Sequence, residues 1–380
     1  MKDIYTREEI EDISSEHIWL NALGGTIESK NLIDKQTNDY FGRTIDSELV
    51  KFFDFFRTIL NNSNGDGKSP PIFRGALEQD GNRRMNILPG GKPQFANPNV
   101  KFEKQDNSTN IHVSARDEDE LKKILTGLSN KHKLNLDIDN LITSAKRVED
   151  APTVQFQTVF GEGHRRCIAK MACNMFACEY REEFMSDSFD KIRNYVYNGL
   201  DDDQKGQWFV KSLIKPIDFT SEFPGFSHVD HVLGFYQKDQ EVFGFATIYG
   251  YFQFVVKIGT SDSEIQSKIM RIDPFHKEVQ IDTGDELVTH VCSCRLGESY
   301  DDMLSSTALS LEMALGFLAG KTINEQKSIL VQNVISEAKD KFERNLISEE
   351  EILSYIASEV GERFIELLFN NGMIDTLRIP

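Results

Sequence analysis

The spacing of apolar side chains predicts a helix that begins after Asp34 and runs to Leu60. Apolar residues recur there at intervals that cover one helical face: Phe41, Ile45, Leu49, Phe52, Phe53, Phe56, Ile59 and Leu60. Two strand-like segments, 16–20 and 26–33, precede the helix on either side of a Gly24-Gly25 turn. The predicted order over residues 1–60 is therefore strand, turn, strand, helix. The helix is long enough to anchor a hairpin that would not be stable alone.

The pattern over residues 61–300 predicts a mixed α/β body with antiparallel strands. Turn-forming residues dominate 61–105 and favour short hairpins. Further along, alternating and apolar runs predict strands at 110–114, 153–160, 228–236, 242–251, 252–258 and 287–295. Helical spacing predicts helices at 118–128, 165–180 and 184–197. The close spacing of the last strands favours an antiparallel meander.

Residues 301–380 are predicted to be helical, with segments at 301–319, 325–343 and 349–370. Their apolar residues fall on stripes, which would either pack on the β region or mediate homo-oligomer formation. The predicted fold class is α+β, in three regions: an N-terminal unit at 1–60, a body at 61–300 and a helical C-terminal tail at 301–380.

Composition adds a cellular setting. With 380 residues, of which 39% are hydrophobic, the chain can bury a substantial core. We find no apolar run of about 18 residues or more, so no membrane span is predicted. The first residues are too polar and acidic for a signal peptide. Five cysteines, an odd number at spacings that suggest no disulfide framework, favour a reducing cytoplasm.

The charge balance disfavours nucleic-acid binding over the whole surface. The formal net charge is -18, whereas affinity for DNA or RNA comes largely from Lys and Arg that neutralise phosphates. An acidic chain can still bind through a local basic patch or through a basic partner. Residues 61–105 are locally basic at Arg83, Arg84 and Lys92. There a charged hairpin tip is favoured over a phosphate contact.

The candidate chemistry lies at Glu16 and His17. A neutral His can deprotonate water near neutral pH, and a carboxylate can bind a divalent cation through oxygen. Neighbouring residues on a strand point to opposite faces, so both can face one site only at a strand end or a bulge. A second ligand would come from the following helix, where Asn38 is available.

Four motifs carry a resemblance to a known family: Ser-Glu-His-Ile at 15–18, Asn-Ala-Leu-Gly-Gly at 21–25, Asn-Leu-Ile at 31–33 and Asn-Asp-Tyr-Phe-Gly at 38–42. Over about residues 1–60 the chain resembles the HNH endonuclease family. The resemblance implies a ββα-metal fold that cleaves DNA with one divalent cation, Mg²⁺ or Mn²⁺. By position it implies that His17 is the general base and that Glu16 and Asn38 are metal ligands. Asn31 would orient the base, with Asn21 as the rival alignment.

One departure from the family concerns structural zinc. Related proteins bind zinc through two Cys-x-x-Cys pairs, but this chain has Asp3 and Thr6, then Asp34 and Thr37, at those places. These residues cannot form the usual thiolate site, so no structural zinc is expected. The four side chains could hydrogen-bond to one another, or Asp34 could cap the helix.

Other residues carry weaker signals. His228 and His231 flank Asp230, but strand alternation separates them and disfavours a metal site. Cys292 and Cys294 would share a strand face, where buried thiols are the favoured interpretation. The segment 161–166 resembles a phosphate cradle before a helix, yet it lacks the P-loop ending and a helix start is favoured.

The leading prediction is a cytoplasmic, metal-dependent HNH-type endonuclease that hydrolyses DNA. One version of it is a defence or toxin effector that stays silent until a regulatory protein partner or another signal releases it. The alternative is a catalytically degenerate HNH-like protein that binds proteins or nucleic acid. The missing zinc ligands and the charge of -18 favour this alternative.

Overall fold

The computed structural model describes residues 1–77, 83–105, 108–145, 160–200, 209–344 and 346–370. Helices account for 45% and strands for 23% of the chain. The sheets are antiparallel and the C-terminal region is helical, which confirms the α+β class. The chain divides into two compact units, residues 1–71 with 156–315, and residues 72–155 with 316–380. The predicted boundaries near 60 and 300 stay predictions.

The N-terminal segment is a short hairpin followed by two helices. Strands β1 (Glu16–His17) and β2 (Glu28–Ser29) pair antiparallel, and α1 (Lys35–Arg43) and α2 (Ile45–Ile59) follow. The prediction of one continuous helix to Leu60 is wrong, because Thr44 has non-helical angles of φ -111 and ψ -98. Its hydroxyl donates to the Tyr40 carbonyl at 2.7 Å. The apolar stripe continues through this break, so the spacing alone does not indicate it.

The next segment contains the predicted hairpins. Strands β3 (Phe73–Leu77), β4 (Arg84–Leu88) and β5 (Lys92–Phe95) form a three-stranded antiparallel sheet. Strands β6 (Asn99–Gln105) and β7 (Ser108–Ser114) form a separate hairpin. Helices α3 (Glu118–His132) and α4 (Ile138–Thr143) follow, and α3 confirms the helix predicted from 118. Of the strand predicted at 153–160, residues 153–159 lie outside the described residues.

Helix α5 is the central element of the unit that contains the N-terminal hairpin. It runs over Glu162–Glu179 and is buried almost throughout between Arg165 and Ala177. Its close approach to the main sheet needs a glycine, because a Cβ at Gly244 would lie 2.6 Å from the Ala172 Cβ. Two short helices follow, α6 (Arg181–Phe184) and α7 (Asp190–Asn198). The single helix predicted at 184–197 is therefore wrong in its first turn, where a 3-10 turn at Asp187–Phe189 intervenes.

The main sheet has six antiparallel strands in the order β13-β12-β9-β10-β11-β8. The strands are β8 (Val210–Ser212), β9 (His231–Lys238), β10 (Glu241–Ile248), β11 (Phe252–Thr260), β12 (Lys268–Ile272) and β13 (Val279–Asp282). A short helix α8 (Phe219–Glu222) lies between β8 and β9. The meander β9-β10-β11 is confirmed, although β9 begins at His231 rather than at His228.

The strand predicted at 287–295 is wrong. That segment is helix α9, Asp285–Ser293, so Cys292 and Cys294 do not share a strand face. Its β-branched residues favour a strand, but Leu287 and Val291, four residues apart, bury one helical face instead. The sequence prediction also missed β12 and β13.

The C-terminal region is helical, as predicted. Helix α10 runs without a break over Tyr300–Glu343 where two helices were predicted, and α11 covers Glu349–Asn370. The segment Tyr300–Gly320 has the length and mean hydropathy (1.3) of a membrane-crossing helix, with 33% of its apolar window buried inside the protein. Core helices of soluble proteins have the same properties. Ser306 in this segment donates to Ser212 of β8 at 2.5 Å, a polar contact within the protein.

Candidate functional site

Glu16 is turned into the protein. It is 2% exposed, and its Oε1 accepts hydrogen bonds from Lys170 Nζ and Asn174 Nδ2, both at 2.8 Å. Lys170 also donates to Asp46 Oδ2 at 2.7 Å. The hydroxyl of Tyr5 donates to Asn174 Oδ1 at 2.8 Å. One ammonium group therefore lies between two carboxylates, one from the hairpin and one from α2. We call this group of five residues the lysine cluster.

Electrostatics keep Lys170 charged. Burial alone would lower the pKa of Lys170, but the charges of Asp46 and Glu16 outweigh that effect and raise it. Burial raises the pKa of Glu16, and the charge of Lys170 opposes this rise. Breaking a buried ion pair by removing one partner costs about 3 to 5 kcal/mol. The cluster therefore ties β1, α2 and α5 together.

His17 points the other way. Its side chain is 27% exposed, and its Nε2 lies 3.0 Å from Glu28 Oε1. His17 and Glu28 are direct partners in the register of the β1-β2 hairpin. Ser15 donates to the other oxygen of Glu28. The alternation of strand side chains therefore separates Glu16 from His17.

Asn38 and Asn31 lie near the same hairpin in different settings. Asn38 donates its amide hydrogens to Ser14 Oγ at 2.7 Å and to the Ser15 carbonyl at 3.1 Å. It therefore contacts the residues that lead into β1. Asn31 is exposed, and its backbone carbonyl accepts a hydrogen bond from Arg181. The partner of His17 is Glu28, and the predicted orienting role of Asn31 stays a prediction.

The two Asp residues at the zinc-ligand positions hold the hairpin through backbone amides. Asp3 is fully buried and accepts from the amides of Tyr5 at 2.8 Å, Thr6 at 3.1 Å and Asp34 at 2.9 Å. Asp34 in turn accepts from the amides of Glu11 at 3.0 Å, Asp12 at 2.9 Å and Gln36 at 2.9 Å.

We call these two groups the carboxylate cages: the first is Asp3 with its three amide donors, and the second is Asp34 with its three amide donors. The contact with Gln36 makes Asp34 the N-cap of α1, one of the two alternatives that the sequence left open. Hydrogen bonds from the amides of Asp12 and Gln36 lower the pKa of Asp34. Asp3 in the first cage also accepts the backbone amide of Asp34, whose side chain forms the second cage. The two cages are therefore linked.

The Leu-Gly-Gly motif forms a tight turn that requires glycine. Gly24 has φ +95, in the left-handed region, and a Cβ at Gly25 would lie 2.0 Å from the Trp19 carbonyl oxygen. Asn21, the rival candidate for orienting the base, instead accepts the amides of Gly65 at 2.8 Å and Asp66 at 3.0 Å. This turn thus positions the loop that follows α2.

The weaker candidates have structural contacts. His231 is fully buried, with Trp19 at 4.8 Å and Tyr249 at 4.6 Å between ring centroids. The segment at 161–166 is the start of α5, as favoured, and Arg166 donates to the carbonyls of Val196 and Tyr197.

We then asked whether Glu16 and Asn38 fit a divalent cation. Glu16 is buried and bonded to an ammonium group, and Asn38 presents its amide hydrogens to the β1 segment. Within the described ranges there is also no group of three His, Cys, Asp or Glu side chains arranged to hold a metal. The arrangement does not fit a cation between these two residues, and we derive no catalytic step through one.

Comparison with models of protein families, with curated proteins and with solved structures found no match.

Sequence reasoning missed Glu28, Asp46 and the role of Lys170. The sequence did contain a signal for the role of Lys170, because Lys170 and Asn174 are polar residues four apart in an otherwise apolar run of α5. Such a pair, facing one side of a buried helix, must find partners. Glu28 could be found only from the register of a hairpin whose turn contains an irregular 3-10 segment, Asn21–Leu23.

Proposed function

We propose that the N-terminal hairpin and helices form an HNH-type endonuclease unit that hydrolyses DNA phosphodiester bonds. The observation that carries the proposal is the pairing of His17 Nε2 with Glu28 at 3.0 Å on the partly exposed side of the hairpin. The family resemblance over residues 1–60 supplies the reaction type. The pairing supplies an imidazole oriented by a carboxylate, which is what general-base catalysis needs.

The chemistry of His17 follows from this contact. When Nε2 carries the proton and faces Glu28, Nδ1 is left as the base that accepts a proton from water. Among the described residues no hydrogen bond to Nδ1 is present. The carboxylate of Glu28 then stabilises the imidazolium that forms. His17 is the proposed catalytic residue and Glu28 its positioning residue.

Stabilising the charge of the phosphate transition state needs a positive group. In the family this is a divalent cation, Mg²⁺ or Mn²⁺, with Glu16 and Asn38 in the ligand positions. Because Glu16 is bonded to Lys170, metal dependence is a proposal from the resemblance alone. It is tested by titrating metal into the protein. Cytoplasmic location and control by a protein partner belong to the same proposal.

The lysine cluster favours a second candidate, a non-catalytic HNH-like interaction protein. The Lys170 ammonium occupies the space between Glu16 and Asp46, at 2.8 and 2.7 Å. A fixed internal cation in that place would maintain the scaffold without a bound metal. In this second function the hairpin and helices would present a surface to a partner.

The first test is cleavage of a labelled DNA duplex by protein stripped of metal and titrated with Mg²⁺ or Mn²⁺. We expect His17→Ala to lower the rate by about 10² to 10⁴-fold, the usual contribution of a general base. Added imidazole should restore part of the rate. Glu28→Gln should lower kcat more than it raises KM.

His112→Ala is the matched control, because His112 also pairs with a glutamate, Glu103, at 3.4 Å but lies on β7. Cleavage by His17→Ala at the wild-type rate would refute the assignment. The second candidate is tested by Mn²⁺ binding. An interaction scaffold binds no Mn²⁺ at the hairpin, whereas a metal-dependent nuclease binds it.

A further inference from the structure

The outer face of the β3-β4-β5 sheet carries arginine, lysine and amide side chains beside the half-buried Leu77 and Leu88. Side chains alternate between two faces of a sheet, and the register places Arg74 opposite Asn86, and Asn86 opposite Gln94. Arg84 lies two residues before Asn86, and Lys92 two before Gln94, so both share this face. The opposite face carries buried apolar side chains, Ala76, Met85, Ile87 and Phe95.

No acidic residue occurs in any of these three strands. Arg74, Arg84 and Lys92 are exposed, and Asn86 and Gln94 are half-buried. Within the part of the chain that the structure describes, Arg74 and Arg84 have no carboxylate or hydrogen-bond partner. This differs from most other surface arginines here, such as Arg116, which pairs with Glu120. Two guanidinium groups that have no partner among the described residues therefore share one face.

A groove of about 580 Å³ crosses this face. Its lining combines the polar side chains of Arg74, Arg84, Asn86 and Asn97 with the apolar side chains of Leu77 and Ala96 and the backbone of Gly75. Gly75 lies at a bulge between Arg74 and Ala76 and has φ +100, which favours glycine. Because glycine carries no side chain, the backbone there is open to a ligand.

We propose that this groove binds the phosphate backbone of DNA. Arginine recognises phosphate oxygens with two parallel hydrogen bonds, and Asn side chains donate to phosphate or to base edges. The charge complementarity is local. The chain as a whole has a formal net charge of -18, whereas the three strands of this sheet contain cations and no acidic residue. The choice of DNA as ligand rests on the proposed function.

The experiment measures binding of a labelled DNA duplex to the full chain by fluorescence anisotropy in EDTA, where no cleavage occurs, over a series of salt concentrations. The test variant is Arg74→Gln with Arg84→Gln. The matched control is Lys122→Gln with Lys123→Gln, which removes the same charge from exposed positions on α3 of the same unit. All four positions are exposed, so circular dichroism should be unchanged in both variants.

We expect the arginine variant to lose about tenfold or more in affinity, and the slope of log K against log salt to flatten by about 2. The lysine control should stay within about twofold of the wild type. Equal losses in the two variants, or no DNA binding by the wild type, would overturn the proposal. So would binding of vesicles that contain anionic lipid, lost in the arginine variant, without binding of DNA.

Binding and cleavage measurements together distinguish failure of the proposed nuclease from failure of the proposed groove. If the wild type binds DNA through the arginines but does not cleave it with any metal, the groove assignment stands and the catalytic assignment falls. If His17→Ala abolishes cleavage while the arginine variant binds as the wild type does, the catalytic assignment stands and the groove assignment falls.

Discussion

His231 is a buried residue whose charge state controls stability in acid. Its Nδ1 accepts the Tyr249 amide at 3.0 Å, so the ring is neutral in the folded protein. Burial lowers the pKa of His231 to about 3, with the nearby charge of Lys277 adding to the effect and Asp273 opposing it. The unfolded chain has the ordinary pKa of about 6.5. Protonation therefore favours the unfolded chain over the range between the two values.

We predict that acid destabilises the protein through this residue. The contribution of His231 is fully present above about pH 6.5 and is lost at about 1.4 kcal/mol per pH unit as the pH falls towards the folded value. His231→Gln removes the titration and keeps an acceptor for the Tyr249 amide. Urea unfolding at a series of pH values should show a smaller loss between about pH 7 and pH 5 in this variant than in the wild type.

His276→Gln is the matched control of opposite sign. A hydrogen bond to Asp273 raises the pKa of His276, so its contribution is present at low pH and is lost as the pH rises. This variant should lose stability in acid relative to the wild type. If both variants shift in the same direction, the assignment to His231 is wrong.

For single residues, the sequence predicted local roles better than it predicted which residues contact each other. Asp34 as a helix cap followed from its place before an amphipathic run. The lysine cluster joins β1, α2 and α5, and the contact between Lys170 and Glu16 spans 154 positions. No local pattern encodes such a pairing. The sequence showed only that a polar pair in an apolar helix required partners.

At the scale of elements, the first carboxylate cage joins the start of the chain to the segment before α1 by hydrogen bonds. Asp3 is fully buried and accepts hydrogen bonds from three backbone amides, one of which belongs to Asp34 of the second cage. Hydrogen bonds to a charged group contribute about 1.5 to 3 kcal/mol each, and a buried amide left without a partner adds a penalty. The hairpin is too short to be stable without such contacts.

We predict that Asp3→Ala lowers the free energy of unfolding by about 3 kcal/mol or more, measured by chemical denaturation. Asp3→Asn keeps one acceptor oxygen and should cost less. Thr6→Ala is the control, because among the described residues its hydroxyl accepts only the exposed amide of Glu8, at 3.3 Å. An Asp3→Ala protein as stable as Thr6→Ala would contradict a structural role for the cage.

Element types followed the periodicity where one pattern was dominant. The meander β9-β10-β11 and helix α3 were predicted for this reason. Prediction failed where two patterns fitted the same residues. The segment that forms α9 contains β-branched residues at helical spacing, and the break at Thr44 leaves the apolar stripe of α1 and α2 intact. Burial against a neighbouring element decides such cases, and a single sequence does not contain that information.

At the scale of the whole molecule, apolar side chains remain exposed on the C-terminal helices. On α10, Val331 is 37%, Ile335 49% and Phe342 42% exposed. Their spacing of four and seven residues places them on one helical face. On α11, Leu353 is 79% exposed. The predicted homo-oligomer would use such a face.

We predict concentration-dependent self-association, which Ile335→Glu weakens, measured by sedimentation velocity. The glutamate would put a charge into the apolar contact. Ser336→Glu adds the same charge to the adjacent exposed position, which points away from the stripe, and should associate as the wild type does. A wild-type chain that stays monomeric at all concentrations would exclude this use of α10.

The carboxylate cages also change what the N-terminal unit requires from its surroundings. A thiolate zinc site couples folding to the supply of metal and to the oxidation state of its cysteines. Aspartates that accept backbone amides have no thiol to oxidise, and they hold the hairpin through hydrogen bonds to the chain itself. The lowered pKa of Asp34 means that its contribution is present above the ordinary value of about 3.9 and is lost only as the pH falls through the folded value. Chelators and oxidants should therefore leave this hairpin folded, and strong acid is the condition that opens it.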